Sequence, residues 1–265
     1  MRATSAPRIL PVGKWLHRSL SCALDSTAPP VGKAPVLVVH QYRISPFCDK
    51  IRRILHYKGV AYEVAEVPPS RTPWVRRKNP AGKLPFIEHD GKVVGDSTNI
   101  AHYLEEVFPE PPILPPGARQ RALVHLFEDW ADESLYFYEM RLRFTLPHNA
   151  ERWLPELMWK ESAAVRALTT PLVPKLIGRQ LNSQGLGRKS LDTVLGDLDR
   201  HLDALAGWLD DAPWLVGDRL SLADIAVYSQ LHCIDGTSEG SERIRARRPL
   251  ATWMESVARA TDAPA

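Results

Sequence analysis

The chain has 265 residues, 44% of them aliphatic, aromatic or cysteine and 25% charged, a balance that fits one or two ordinary hydrophobic cores and excludes a disordered chain or a miniature scaffold. Its 34 basic and 31 acidic residues are interleaved and leave a net charge of +3 without a basic stripe, which argues against a nucleic-acid partner. Apolar runs such as Val36 to Val39 are far too short to cross a bilayer, and three cysteines, Cys22, Cys48 and Cys233, supply neither a disulfide framework nor a Cys-rich zinc site.

Residues 1–34 carry Arg2, Arg8, Lys14 and Arg18 before the first acidic residue, Asp25. That pattern has features of a mitochondrial transit peptide, whereas Pro7, Pro11, Pro29 and Pro30 interrupt any helix and favour a disordered extension. A cytoplasmic protein is expected, with a mitochondrial one as the alternative. Val36 to Gln41 reads as a buried strand, and Ser45 then caps a helix that begins at Pro46 and places Phe47, Ile51, Ile54 and Leu55 on one face. Gly59 ends that helix. Tyr62 to Val67 alternates as a second strand, and Trp74 to Lys78 suits a short helix. Leu84 to Glu88 and Lys92 to Val94 flank Asp90-Gly91, a tight hairpin signal, before a helix over Ser97 to Phe108. The order is β-α-β-α-β-β-α.

Five prolines and a glycine between Pro109 and Gly117 read as a linker. Beyond it the pattern is helical throughout. One helix is expected over Ala118 to Phe144, burying Leu123, Leu126, Phe127, Trp130 and Leu135, with others near 151–168, 190–210, 221–233 and 249–260. Trp130, Trp208 and Trp253 read as helix packing. The resulting division is an extension at 1–34, an α/β domain at 35–108, a linker at 109–117 and an all-helical domain at 118–265. Ser221 and Asp224, ahead of an apolar run, have the spacing of a capping box. Gly185-Leu-Gly187 lacks the rest of a dinucleotide fingerprint, and the nine histidines show no paired ligand spacing, so no metal is expected.

Two stretches are more specific. Ser45-Pro-Phe-Cys-Asp-Lys-Ile-Arg52 resembles the start of the active-site helix of glutathione S-transferases, and Asn79-Pro-Ala-Gly-Lys-Leu-Pro-Phe-Ile87 resembles their cis-proline segment. With Asp96-Ser97 and the Ser221/Asp224 box, the likeness runs from Val36 to about Ala260. It implies an α/β thioredoxin-like domain followed by an all-α helical bundle, usually in a homodimer. Glutathione is then the co-substrate, and a small electrophile the second one.

The resemblance also assigns roles. Ser45 stands where the family has its catalytic Ser or Cys, and its hydroxyl would steady the glutathione thiolate; as a residue it is equally a helix cap. Phe47, Cys48, Lys83, Leu84, Pro85, Asp96 and Ser97 are the matching glutathione-binding positions. Leu84 would meet the cysteinyl backbone of glutathione as an added strand does, Pro85 would follow a cis bond, and Lys83 would take the glycyl carboxylate. Ser97 and its helix N-terminus would receive the γ-glutamyl carboxylate, with Asp96 facing the ammonium. Asp96 departs from the Glu or Gln usual there. Because Ser45 replaces the first cysteine of a C-x-x-C motif, an internal redox disulfide is excluded, and Cys48 is either a thiol with a lowered pKa or a small buried hydrophobe. Tyr136, Tyr138, Arg141 and Phe144 are candidates, by position, for the electrophile pocket. Gln184-Gly-Leu-Gly-Arg-Lys-Ser190, taken with Ser-Pro-Phe-Cys, also resembles the metaxin and failed-axon-connections branch, in which the fold would serve a non-catalytic interaction protein.

Overall fold

The computed structural model describes residues 37–262; the expectations for residues 1–34 lie outside that range. Strand β1 (Leu37–Gln41) is short, β-branched and almost wholly buried. It leads into α1 (Pro46–Tyr57), where Pro46 occupies the first turn, a position at which its missing N–H costs nothing. Cys48, Ile51, Ile54 and Leu55 make the buried face of α1, and Gly59, at φ 64°, turns the chain out of the helix in the left-handed region. Strand β2 (Tyr62–Glu66) follows, then α2 (Thr72–Lys78), β3 (Phe86–His89), β4 (Lys92–Gly95) and α3 (Ser97–Val107).

The four strands lie in the order β2-β1-β3-β4. β1 runs parallel to β2 and antiparallel to β3, with Val39 opposite both Val64 and Ile87. β3 and β4 form the hairpin expected around Asp90-Gly91, whose φ values of 51° and 76° are those a two-residue primed turn needs. This is the thioredoxin-like α/β arrangement read from the sequence.

After Val107 the chain is held down by a lysine and a glutamate. The buried Lys58 ammonium donates to Glu105 Oε2 at 2.6 Å and to the carbonyls of Phe108 and Pro111, while Glu105 accepts from the Ile113 and Leu114 N–H groups. The proline-rich stretch is thereby pinned against α3 despite lacking secondary structure of its own.

The helical half contains α4 (Ala118–Trp130), a π-helical turn (Ala131–Leu135), α5 (Tyr136–Thr145), α6 (Pro147–Leu157), α7 (Ala163–Thr169), α8 (Val173–Gln184), α9 (Leu191–Leu209), α10 (Leu222–Asp235), α11 (Ser238–Arg245) and α12 (Arg248–Thr261). Helix α10 is buried along nearly its whole length and packs against α1, α4 and α5. Its capping box is formed as the sequence indicates: the Ser221 N–H donates to Asp224 Oδ2 at 2.9 Å. The other Asp224 oxygen accepts from the Leu215 N–H and from Trp253 Nε1, so one buried carboxylate fastens a loop and α12 to α10.

Several sequence expectations need correction. The single helix expected over 118–144 is broken by the π turn, which advances the register of everything after it. Leu126 is 67% exposed and is not a core residue, whereas Trp208, 46% exposed, packs edge-on against Phe127 of α4 with ring centres 5.4 Å apart, in line with a helix-packing role. The helix expected over 151–168 is two helices, α6 and α7, and α8 and α11 carry no earlier expectation. Among the described residues no helix is long and apolar enough to cross a membrane.

Candidate functional site

The loop between β1 and α1 sets the first element of the site. Ser45 donates its N–H to the Tyr42 carbonyl at 3.0 Å, and its own carbonyl accepts the first helical bond, from Asp49 N–H at 2.9 Å. It therefore holds the N-cap position of α1 with extended backbone angles, yet its hydroxyl makes no capping bond to the helix. The expectation that Ser45 caps with its side chain is corrected by this geometry. Ser45 instead lies on the wall of a cavity of about 410 Å³ between the sheet and the helices α3 to α5.

Cys48 does not reach that cavity. It is fully buried, one turn further into α1, and burial pushes its thiol up to about 11, with the Ser45 hydroxyl and the Arg52 charge pulling weakly the other way. Its assignment as a glutathione-binding residue is accordingly corrected: a thiol without access and with a raised pKa behaves as a small hydrophobe. Phe47 does line the cavity, its ring 4.9 Å from that of Tyr136 on α5.

The second wall is the segment before β3. The Leu84–Pro85 peptide bond is cis, and Lys83, Leu84 and Pro85 all border the cavity. The buried amide of Asn79 braces this loop from behind, donating to the Lys83 carbonyl at 2.9 Å and accepting from the Ala81 N–H at 3.2 Å. Gly82, at φ 66°, supplies the left-handed turn that brings Lys83 round.

The third wall is the start of α3. Asp96, at φ 72°, is its N-cap, and Asp96 Oδ1 accepts from the Thr98 and Asn99 N–H groups at 3.1 and 3.3 Å. Ser97 is thus the first helical residue rather than the cap, and it is buried at the cavity edge.

A charged network closes the floor. Lys50, 1% exposed, donates from Nζ to Glu128 Oε1 at 2.8 Å and to Asp132 Oδ2 at 2.6 Å, and Thr98 Oγ1 donates to the same Glu128 oxygen. One ammonium thereby ties α1 to α4, to the π turn and, through Thr98, to α3. Burial opposes ionisation of both acids. At Glu128 the ammonium prevails and the carboxyl is held below its usual range, whereas Asp132, which also faces Glu128, is pushed up to about 6. Asp132 Oδ1 is buried without a partner among the described residues. Asp96, Glu128, Asp129, Asp132 and Glu133 all border the cavity, against a single cationic side chain, Lys83, so this end of the site favours a positively charged ligand group.

The structure thus brings together Ser45, Phe47, Lys83, Leu84, Pro85, Asp96 and Ser97, and leaves Cys48 outside. Of the four position-based candidates for the electrophile pocket only Tyr136 borders the cavity; Tyr138 turns toward His201, and Phe137 lines the wall instead. The Lys50–Glu128–Asp132 network is the part that sequence reasoning missed. Its one signal was a lysine spaced onto the buried face of α1.

Comparison with known proteins sharpens the assignment. The profile for "Glutathione S-transferase, N-terminal domain" matches residues 39–112, and that for "Glutathione S-transferase, C-terminal domain" matches residues 163–260. An isoprene-epoxide–glutathione S-transferase of Rhodococcus sp. is 26% identical over 233 residues, 83% of this chain and 93% of that protein. Glutathione S-transferase U7 of Arabidopsis thaliana is 26% identical over 219 residues, 77% of this chain and 88% of that protein. Among solved structures, the β-etherase LigF of Sphingobium superposes with a TM-score of 0.59 at 22% identity, covering 84% of this chain and 95% of that one, a likeness of fold. Both domain profiles fall on the chain in their family order, and relatives align across both halves; the chain belongs to the glutathione S-transferase family.

Proposed function

We propose that the protein is a glutathione transferase in which Ser45 steadies the thiolate of bound glutathione for attack on a small electrophile. The observation that carries this reading is the position of Ser45, the N-cap of α1 whose hydroxyl makes no capping bond to the helix N–H groups, on the wall of the cavity shared with Leu84–Pro85 and Ser97. A free thiol, with pKa of about 8.5, is mostly protonated at neutral pH. A hydroxyl donor and the N-terminal end of a helix both favour the anion, so the proton leaves to solvent and the sulfur lone pair forms the new C–S bond as the carbon's bond to its leaving group breaks; for an epoxide that is the ring C–O bond, whose oxygen leaves as an alkoxide and takes a proton from solvent. Backbone groups at Leu84 would hold the cysteinyl unit and Lys83 the glycyl carboxylate. Ser97, with the first N–H groups of α3, would receive the γ-glutamyl carboxylate, and the acidic wall from Asp96 to Asp132 suits its ammonium.

Two relatives that align over more than three quarters of the chain carry transferase names, which supports catalysis over a non-catalytic interaction role. The Rhodococcus relative's name includes an epoxide, so a small aliphatic epoxide is the first electrophile to assay. Titration calorimetry with glutathione tests the reading: binding at micromolar to millimolar concentration is expected, and no heat at millimolar ligand would overturn it. The family resemblance further supports a homodimer in a reducing, cytoplasmic setting. Sedimentation velocity at micromolar protein tests the dimer, and a concentration-independent mass near the 29.8 kDa of one chain would refute it.

A further inference from the structure

Ser45 also borders a second, larger cavity of about 730 Å³ on the opposite side of the β1–α1 loop, enclosed by that loop, the α5–α6 junction and the α10–α11 junction. Its wall is strongly basic. Arg43, Arg52, Arg143, Arg152 and Arg245 all line it. Arg43 pairs with Glu156, and Arg52 with Asp49 at 3.0 Å. Arg152 donates only to the Gly236 carbonyl, and Arg245 has no hydrogen-bond or ion-pair partner among the described residues.

The decisive residue is Arg143. It is 1% exposed, its guanidinium lies 4.1 Å from the ring centre of Trp153, and Nη1 is occupied by Glu139 and by the Ile44 carbonyl. Nε and Nη2, by contrast, are buried with no partner among the described residues. Those two nitrogens form one edge of the guanidinium, and their N–H bonds point the same way, the two-donor fork that a planar carboxylate accepts from Arg. Leaving charged donors buried and unpaired is costly, whereas a ligand carboxylate would satisfy both at once. In the same wall, Asp235 Oδ1 is a buried acceptor without a donor. The other acid in the wall, Asp49, is already held by Arg52 and Arg53.

We propose that this cavity is a second binding site, separate from the glutathione cavity, for a small organic carboxylate that carries a neighbouring hydroxyl or ammonium. The carboxylate is drawn in by the field of Arg152 and Arg245 and takes the buried Nε/Nη2 edge of Arg143 once local side-chain movement opens that edge to the cavity, and the neighbouring donor is directed at Asp235. The volume suits a small metabolite rather than a polymer. The site does not depend on the protein's being a transferase.

Calorimetry on the full chain with malate as probe tests this. Malate is expected to bind at millimolar concentration or tighter, dimethyl malate not at all, and malate affinity is expected to be unchanged by saturating glutathione. Arg143→Lys keeps a charge beside Glu139 but removes the fork, and should weaken malate at least tenfold. Arg143 is buried, so the exposed pair Arg152→Gln/Arg245→Gln gives an independent arm and should weaken malate several-fold with glutathione affinity intact. No malate binding, equal binding of the dimethyl ester, displacement by glutathione, or wild-type affinity in both variants would each overturn the proposal. Tighter binding of inorganic phosphate than of malate would overturn the choice of carboxylate.

Discussion

Ser45 and Cys48 lie three residues apart at the start of α1 and differ in access: the serine borders the cavity, while the cysteine is fully buried in the α/β core. A helix separates neighbours at this spacing by less than a full turn, so the difference arises from Pro46, which starts the helix between them and leaves Ser45 in extended geometry.

Opposite consequences of substitution follow. Ser45→Ala should lower turnover about 10²- to 10³-fold, the cost of losing one anion-stabilising donor, and should move the ionisation of bound glutathione to higher pH. Cys48→Ala should leave turnover near wild type and cost about 1 kcal/mol of stability through lost packing. Steady-state assays, with the thiolate absorbance followed against pH, measure both. Full activity in Ser45→Ala would remove the serine from catalysis.

Among the described residues Lys50 is the cation that pairs with both Glu128 and Asp132, so Lys50→Met should destabilise the fold by about 3 to 5 kcal/mol, the usual consequence of stranding buried charge. Adding Glu128→Gln and Asp132→Asn should recover much of that loss. Urea denaturation of the single and triple variants gives the comparison. Equal midpoints for the two would show that the network contributes nothing beyond packing.

The elements that were legible in the sequence are those with a strong local cause. The hairpin at Asp90-Gly91, the proline-led start of α1 and the Ser221/Asp224 box each follow from a few residues whose backbone or hydrogen-bonding options are narrow. Helix α8 was hidden because Pro171, Pro174 and Gly178 look like a loop; Pro174 in fact sits in the first turn, where proline is tolerated, and Gly178 is an interior residue that costs stability without breaking the helix. The π turn at 131–135 has no sequence signature, so the region read as one continuous helix over 118–144. In the site, the loops that resemble the family were readable residue by residue, whereas the Lys50–Glu128–Asp132 contact joins positions 78 and 82 residues apart that only tertiary packing brings together.

Asp132 gives a pH-dependent expectation. Its carboxyl is raised by burial to about 6, so its neutral form suits the folded state better than its charged form does. The stability that it contributes is full below the ordinary carboxylate range, near pH 4, and is lost as the pH rises through about 6. Asp132→Asn should therefore flatten the decline in stability between pH 4 and pH 6. Carbon-detected NMR of the Asp132 carboxyl should give a midpoint near 6; one near 4 would mean that the Lys50 ammonium holds it ionised.

Gly95 and Asn79 yield a test of how the cavity proposed for glutathione is shaped. Gly95 ends β4 opposite Phe86, and a Cβ placed on it would collide with the side-chain amide of Asn79. That amide bonds the Lys83 carbonyl and the Ala81 N–H, so it is the brace behind the loop that carries Leu84 and Pro85 to the cavity. Gly95→Ala should displace Asn79, costing about 1 to 3 kcal/mol of stability by overpacking, and should weaken glutathione roughly tenfold or more by shifting the Lys83–Leu84 backbone. The double variant Gly95→Ala/Asn79→Ala separates the two effects. Removing the amide relieves the collision, so stability should partly return, but the brace is gone and glutathione affinity should stay low. Thermal melts and glutathione calorimetry on the two variants provide the readouts. If affinity recovers together with stability, Asn79 serves only the packing beneath β4, and the Lys83–Leu84 loop holds its shape without it.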